Sequence, residues 1–325
     1  MIYRLLLSNN SSMMNSVPAA VSLRISHKQE SSKNLPVMKY SRDKDAKSQV
    51  YSSKLCLGKK NQFVMVKIGK TGTSTLFALL SRFVRNNQLN LLVPNPNEGV
   101  HIDWQKPGLV WQIGPKKIDR ADVLIHHARY NRSIFDRHIQ KDFKLIVPVR
   151  EPTSWIKSAI KYYSNNIGIN GRDPNKIIRD DNILFKNRTA RHAGLVNWFH
   201  IPFLQWLGFD YNQRKNMTAI KEFIKDAVSR IDLPILNEKF DASLIILKKR
   251  FCWEYSDIFY VSQNKGSSST LSLSEDSIKK VLSKEVNLGD KMLYDAVSKL
   301  WWSQPELKET GFWKECKCSL TESVL

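Results

Sequence analysis

Acidic residues are scarce in this chain. Thirty Asp and Glu stand against 51 Lys and Arg, which gives a formal net charge of +21 and an isoelectric point near 9.8. Such a field attracts polyanions or anionic substrates. The marks of a nucleic-acid reader are missing: there is no zinc-finger spacing, no RNP-like motif and no basic heptad helix. No nucleic acid is therefore expected as partner, and a polyphosphate donor with an anionic or sugar acceptor suits the charge. Cysteines are few. Cys56, Cys252, Cys316 and Cys318 allow three pairings, and the last two lie too far from the others for a four-thiolate zinc site. No metal is expected. Long apolar runs are lacking too. Ile2–Leu7, broken by Arg4, falls far short of the roughly 20 residues a membrane helix needs and of a signal-peptide core. The protein is expected to be soluble or to carry its anchor outside this sequence. No internal repeat is present.

With 325 residues, 42% of them hydrophobic, the chain can bury a full core. Residues 1–60 are rich in Ser, Asn and Lys without apolar periodicity and read as a flexible stem or arm. The folded domain is expected over 61–325. Sequons at Asn9, Asn10, Asn131, Asn187 and Asn216 would permit glycosylation in a secretory lumen.

The organising stretch runs from Phe63 to Phe83. Phe63–Val66 has the character of a buried strand, Gly69-Lys70-Thr71-Gly72 breaks it, and Leu76, Leu79, Leu80 and Phe83 then recur at helical spacing. Strand, small basic turn and helix start together cradle a phosphate, because backbone N–H groups and the positive end of the helix dipole face the anion. Lys70 adds a mobile charge, and Thr71, Thr73, Ser74 and Thr75 add hydroxyl donors. The nucleotide-triphosphatase loop G-x-x-x-x-G-K-[ST] does not fit, since Val64 stands at its first glycine. A nucleotide kinase is disfavoured for the same reason.

Further strands are expected at Ala121–Ile125, Phe143–Val149 and Leu233–Leu236, and helices at 131–139, 152–163, 219–231, 241–249, 274–286 and 290–302; Val93–Pro115 reads as loop with short elements. Alternating strands and helices predict an α/β fold with a central parallel sheet flanked by helices, whose ligands sit at the carboxyl ends of strands. Lys70, His127 and Arg150 all fall just past such ends. Arg150 can grip a phosphate bidentately, and Ser158, two turns into the following helix, can donate to the same group.

Lys70-Thr-Gly-Thr-Ser-Thr-Leu76 resembles the 5′-phosphosulfate loop of sulfotransferases that use 3′-phosphoadenosine 5′-phosphosulfate (PAPS). Arg150-Glu-Pro-Thr-Ser-Trp-Ile-Lys-Ser158 is similar to their 3′-phosphate element. Lys67–Leu76, His126–Tyr130, Phe143–Tyr163, Asp232–Tyr260 and Met292–Asp295 together resemble the galactose-3-O-sulfotransferase family, which includes galactosylceramide sulfotransferases. The resemblance covers about 61–305. It implies a P-loop-like sulfotransferase fold, PAPS as donor, a galactosyl hydroxyl of a glycolipid or glycan as acceptor, and a Golgi membrane location. It implies donor contacts at Lys67, Gly69, Lys70, Thr71, Gly72, Thr73, Ser74, Thr75, Arg150 and Ser158.

Two positions depart from the family pattern. Gly69 stands where its loop carries a histidine, and Trp206 where an aspartate is expected. Sulfuryl transfer needs a base for the acceptor hydroxyl and a cation for the leaving phosphate. Lys70 suits the second role and His127 the first, with His101 and His192 next in order. His126 should point to the opposite side if the strand's alternation persists. A heparan-type uronyl 2-O-sulfotransferase and a catalytically impaired donor- or glycan-binding relative are the alternatives.

Overall fold

A computed structural model describes residues 58–95, 101–102, 104, 110–115, 119–163, 202–263, 274–283 and 285–318. All of them belong to one unit spanning Cys56–Leu325. Of the arm expected over 1–60, only the last three residues are described, and they are already part of the fold. Lys59 pairs with Asp257 at 2.9 Å, the Lys60 N–H donates to the Phe251 carbonyl, and the Lys60 carbonyl accepts from Trp253 Nε1.

Among the described residues the strands are β1 (Phe63–Met65), β2 (Leu91–Pro94), β3 (His101–Ile102), β4 (Val110–Ile113), β5 (Val123–Leu124), β6 (His127–Ala128), β7 (Lys144–Val149) and β8 (Leu233–Leu236). Six form one sheet in the order β4-β2-β5-β1-β7-β8. Its five strands β2, β5, β1, β7 and β8 run parallel, and β4 adds an antiparallel edge. Phe63 faces Val123 on one side and Lys144 on the other. The sheet is mostly parallel and helix-flanked, as the alternation of elements predicts. Phe63, Val64, Met65 and Val66 are all buried, as a strand covered on both faces requires.

The helices that bear on the site are α1 (Thr73–Asn86), α2 (Arg132–His138), α3 (Pro152–Tyr163), α4 (Pro202–Trp206), α5 (Met217–Ser229), α6 (Phe240–Phe251), α7 (Tyr255–Ile258), α8 (Glu275–Leu282), α9 (Glu285–Trp302) and α10 (Phe312–Cys318). The chain leaves β1 through α1 towards β2 on one side, and leaves the adjacent β7 through α3 towards β8 on the other. Adjacent strands whose connections diverge in this way open a crevice beyond the carboxyl ends of β1 and β7. The amphipathic face of α1 turns Leu76, Leu79, Leu80 and Phe83 into the core. Phe83 stacks on Trp253 at 3.6 Å, and Trp253 meets Phe63 edge-on at 5.7 Å. Ser243 ties the far edge together. Its buried hydroxyl donates to the Lys239 carbonyl and accepts from the Leu236 N–H and Trp301 Nε1, joining β8, α6 and α9.

Val93–Pro115, read as loop with short elements, holds the short strands β3 and β4 and the end of β2, which begins at Leu91. Two expectations change. The strand expected at Ala121–Ile125 shrinks to Val123–Leu124, because Asp122 is drawn aside: its carboxylate accepts the Asn90 N–H at 2.9 Å. His127 therefore does not continue that strand. It opens β6, which pairs in parallel with β3 and sets His127 opposite His101. Among the described residues no helix is long and apolar enough to cross a membrane.

Candidate active site

The loop between β1 and α1 is built by fixing its carbonyl groups. The Lys67 carbonyl accepts from His127 Nδ1 at 2.8 Å. The Ile68 carbonyl takes both the Thr71 and Thr73 hydroxyls, at 2.9 and 3.0 Å. The Gly69 carbonyl accepts from Trp155 Nε1 at 2.9 Å, and that of Lys70 from Arg150 Nη1 at 3.2 Å. Four successive carbonyls are thus held by side chains from within the loop, β6, α3 and the end of β7. Among the described residues the backbone N–H groups of Gly69, Lys70, Gly72 and Thr73 make no hydrogen bond. Lys70 sits at φ 67°, a left-handed conformation a lysine keeps only when its surroundings over-determine it.

The helix N-terminus that follows is left open. Gly72 caps α1 without a side-chain bond, and no acidic residue occupies the first turn. By contrast, α3 is closed by Glu151, whose carboxylate accepts the Thr153 and Ser154 N–H groups at 2.8 and 2.7 Å. An open, acid-free N-terminus beside free loop N–H groups is an anion site.

This loop forms one wall of a cleft of about 530 Å³. Lys67, Gly69, Lys70, Gly72, Thr73, Ser74, Thr75, His127, Arg150 and Ser158 all line it, so the structure brings together every residue expected at the site but one. The exception is Thr71. It is fully buried with its hydroxyl turned to the Ile68 carbonyl, so it shapes the loop and does not face the cleft. Among the described residues no acidic side chain lines the cleft. Burial pushes the Lys67 ammonium down to about 8, with its Nζ 3.9 Å above the Phe77 ring. Lys70 is lowered as well, by burial first and then by the Arg150 charge. Its Nζ lies over the Tyr162 ring at 3.9 Å. The buried Nε of Arg150 has no partner, although one Nη holds the loop. Three crowded cations that burial disfavours are a site prepared for multiple negative charge.

His127 is poised differently. Its Nδ1 faces a carbonyl, which only accepts, so Nδ1 carries the proton and Nε2 keeps its lone pair. The imidazole is half-buried, and Trp206 packs 5.6 Å from it. The Trp206 carbonyl is tied to the Tyr130 N–H at 2.8 Å, and the Arg129 guanidinium donates to the Gly208 and Phe209 carbonyls. These bonds zip the exit of β6 to the end of α4 and hold Trp206 against the histidine. His126 lies on the other side, buried edge-on to Phe77 at 5.1 Å, and burial with the nearby Lys67 charge depresses it to about 3. Only the backbone of His101 is described, and His192 lies outside the described residues.

Tyr162, Asn237, Phe240, Tyr260, Ser262 and Gln263 complete the lining and were not anticipated. Asn237 follows the end of β8, so the strand-end rule that picked out Lys70 and Arg150 reaches it too. Ser262 and Gln263 carry no local signal. They arrive because the Gln263 N–H donates to Thr75 Oγ1 at 3.0 Å, while the Tyr260 hydroxyl is held by Asp241 at 2.6 Å.

Gly72 takes φ 78°, and a Cβ there would stand 2.6 Å from Asn237 Oδ1. Gly72→Ala is expected to cost about 1–2 kcal/mol from the left-handed backbone alone. It should also displace Asn237 and weaken anion binding. Urea unfolding and a binding titration on the same variant would read both effects; an unchanged midpoint would contradict the first.

The cleft thus joins a fixed anion loop, three cations and a histidine oriented by its Nδ1 bond, the parts that transfer of an anionic group to a hydroxyl requires. Comparison with known proteins agrees with it. The mouse galactosylceramide sulfotransferase is 23% identical over 210 residues, which is 63% of this chain and 48% of that protein. The human one is 25% identical over 216 residues, 64% of this chain and 49% of that protein. Mouse galactose-3-O-sulfotransferase 2 is 23% identical over 256 residues, 74% and 62% of the two chains. The chain spans about half the length of the galactosylceramide sulfotransferases it matches. The sequence model of galactose-3-O-sulfotransferases matches residues 22–315, nearly the whole chain, and the chain belongs to the galactose-3-O-sulfotransferase family.

Proposed function

We propose that this chain is a PAPS-dependent sulfotransferase that moves a sulfuryl group to the 3-hydroxyl of a galactosyl unit, on a glycolipid such as galactosylceramide or on a glycan. The observation that carries the reading is the loop after β1: the Lys67–Lys70 carbonyls are held and, among the described residues, the Gly69, Lys70, Gly72 and Thr73 N–H groups make no hydrogen bond, beside Lys67, Lys70 and Arg150. PAPS supplies the sulfuryl group and departs as adenosine 3′,5′-bisphosphate. Lys67, the loop N–H groups and the N-terminus of α1 hold the 5′-phosphosulfate. Arg150 and Ser158 hold the 3′-phosphate. His127 Nε2 takes the proton of the acceptor hydroxyl as its oxygen bonds to sulfur. Lys70 compensates the negative charge that builds on the bridging oxygen as the old sulfur–oxygen bond breaks. In this scheme His127 replaces the histidine that the family pattern places at Gly69. Gly69 also supports a second reading, a relative that binds donor or glycan without turnover.

Lys67 supplies a test that needs no acceptor. Its ammonium sits at about 8 in the free protein, and an adjacent phosphate favours the charged form. Binding of adenosine 3′,5′-bisphosphate near pH 8 is expected to take up protons, and affinity should fall as pH rises through 8. Calorimetry in buffers of different ionisation enthalpy measures the uptake. A buffer-independent binding heat would contradict it.

We assign the protein to the Golgi lumen. Cys252 is disulfide-bonded, which suits an oxidising compartment, while Cys316 is free. Asn131 and Asn216 sit exposed at the N-caps of α2 and α5, where the side-chain oxygen accepts a backbone N–H. The amide nitrogen that carries a glycan is not needed for the cap. The expressed product should therefore shift in mass on endoglycosidase treatment; an unshifted, cytosolic product would contradict the assignment.

A further inference from the structure

Two tryptophans stand side by side on the surface formed by the last helices. Trp302 is 52% exposed and Trp313 43%, with ring centroids 6.3 Å apart. Neither exposure comes from a loose end. Each follows a buried aromatic that fixes its helix: Trp301 is fully buried and donates to Ser243 Oγ at 2.9 Å, and Phe312 is 1% exposed. The pair is presented outward by well-anchored neighbours, and exposed aromatic surface of this kind marks a contact site.

The acidic groups near it are engaged elsewhere; Glu238, beside Lys239, accepts the Glu151 N–H at 2.8 Å. The described acidic side chains from Asp290 to Glu315 are all engaged too. Asp290 caps α4, Asp295 pairs with Lys291, Glu306 with Arg250, Glu309 with Lys249, and Glu315 with Lys248 and Lys249. Among the described residues Lys299, one turn before Trp302 on the same helix, makes no ion pair. Lys239 reaches the patch from the loop after β8, its Nζ 5.9 Å from the Trp302 ring. It lies between Asn237 and Phe240, both of which line the cleft, so the patch borders the cleft mouth.

We propose that the surface of Trp302, Trp313, Lys239 and Lys299 docks the protein on a bilayer bearing anionic headgroups. Indole rings settle at the depth of the headgroups, with apolar body inward and N–H outward, and lysine ammonium groups pair with anionic headgroups beside them. A second copy of this chain is a poorer occupant, because a two-fold contact through this face would set its lysines against one another. The proposal stands apart from the donor reading, since it concerns a surface outside the cleft.

Flotation of the full chain with phosphatidylcholine vesicles, with and without phosphatidylserine, tests it. The protein is expected to float with the anionic vesicles and to be released by salt. Trp302→Ala with Trp313→Ala, and separately Lys239→Glu with Lys299→Glu, should each lower the bound partition by about tenfold or more. Thermal midpoints should stay at the wild-type value, since all four side chains are exposed. A wild type that floats with neither vesicle overturns the proposal. So do variants that float as well as wild type, or variants whose main effect is a change of oligomeric mass in light scattering.

Discussion

Replacing His127 by alanine is expected to lower turnover by about 10² or more, the usual worth of a general base, and to leave bisphosphate affinity nearly unchanged. The split follows from where the two ring nitrogens point. Nδ1 carries its proton to the Lys67 carbonyl, so Nε2 is the basic nitrogen of the ring. The same bond steadies the loop, so His127→Ala also removes one of its four carbonyl anchors. Three others remain, on Ile68, Gly69 and Lys70, and the donor side should survive. His127→Asn separates the roles, because its amide can hold the carbonyl but cannot act as base. It should bind bisphosphate like wild type and be as inactive as the alanine variant. His126→Ala should act through folding instead, since that ring is buried against Phe77. Full turnover by either His127 variant, measured with saturating donor, would remove His127 from the role and pass attention to His101 and His192.

Arg150→Ala is expected to weaken adenosine 3′,5′-bisphosphate binding by about 1.5–3 kcal/mol, the range for hydrogen bonds to charged groups. Two losses combine. The unpartnered Nε and the remaining N–H groups of the guanidinium are lost as phosphate donors, and the Lys70 carbonyl loses its anchor. Arg150→Lys should recover little, because an ammonium cannot hold the carbonyl and a phosphate in one planar fork. Titration calorimetry on the two variants reads the effect; wild-type affinity in Arg150→Ala would place the 3′-phosphate elsewhere.

The core of this site was legible because its parts are contiguous. Phe63 to Phe83 encodes strand, loop and helix within one short stretch, and Arg150 to Ser158 encodes strand end and helix within another. Leu233–Leu236 also emerged with its observed bounds. Elements defined by partners far along the chain were harder to read. The strand β4 exists because Val110–Ile113 finds β2, and α4 is capped by Asp290, 86 residues downstream of Leu204. The inward turn of Thr71 was hidden for a related reason. Four hydroxyl residues within five positions look alike in sequence; Thr71 and Thr73 both donate to the Ile68 carbonyl, yet Thr71 alone of the four is shut out of the cleft. The neighbour of His127 was equally unreadable. Trp206 reaches it through a bond between Tyr130 and the end of a five-residue helix, and nothing in either segment announces the meeting.

The most direct measurement is transfer of radiolabel from PAPS by the purified full-length chain, assayed side by side on galactosylceramide, a galactosyl oligosaccharide and a heparan-type acceptor. Label should appear on a galactosyl acceptor, in a product that survives removal of unreacted donor, and should depend on His127. Bisphosphate binding with no transfer to any of the three would leave a donor-binding relative in which Gly69 has ended catalysis. A folded protein that neither binds the bisphosphate nor transfers label would contradict the central claim.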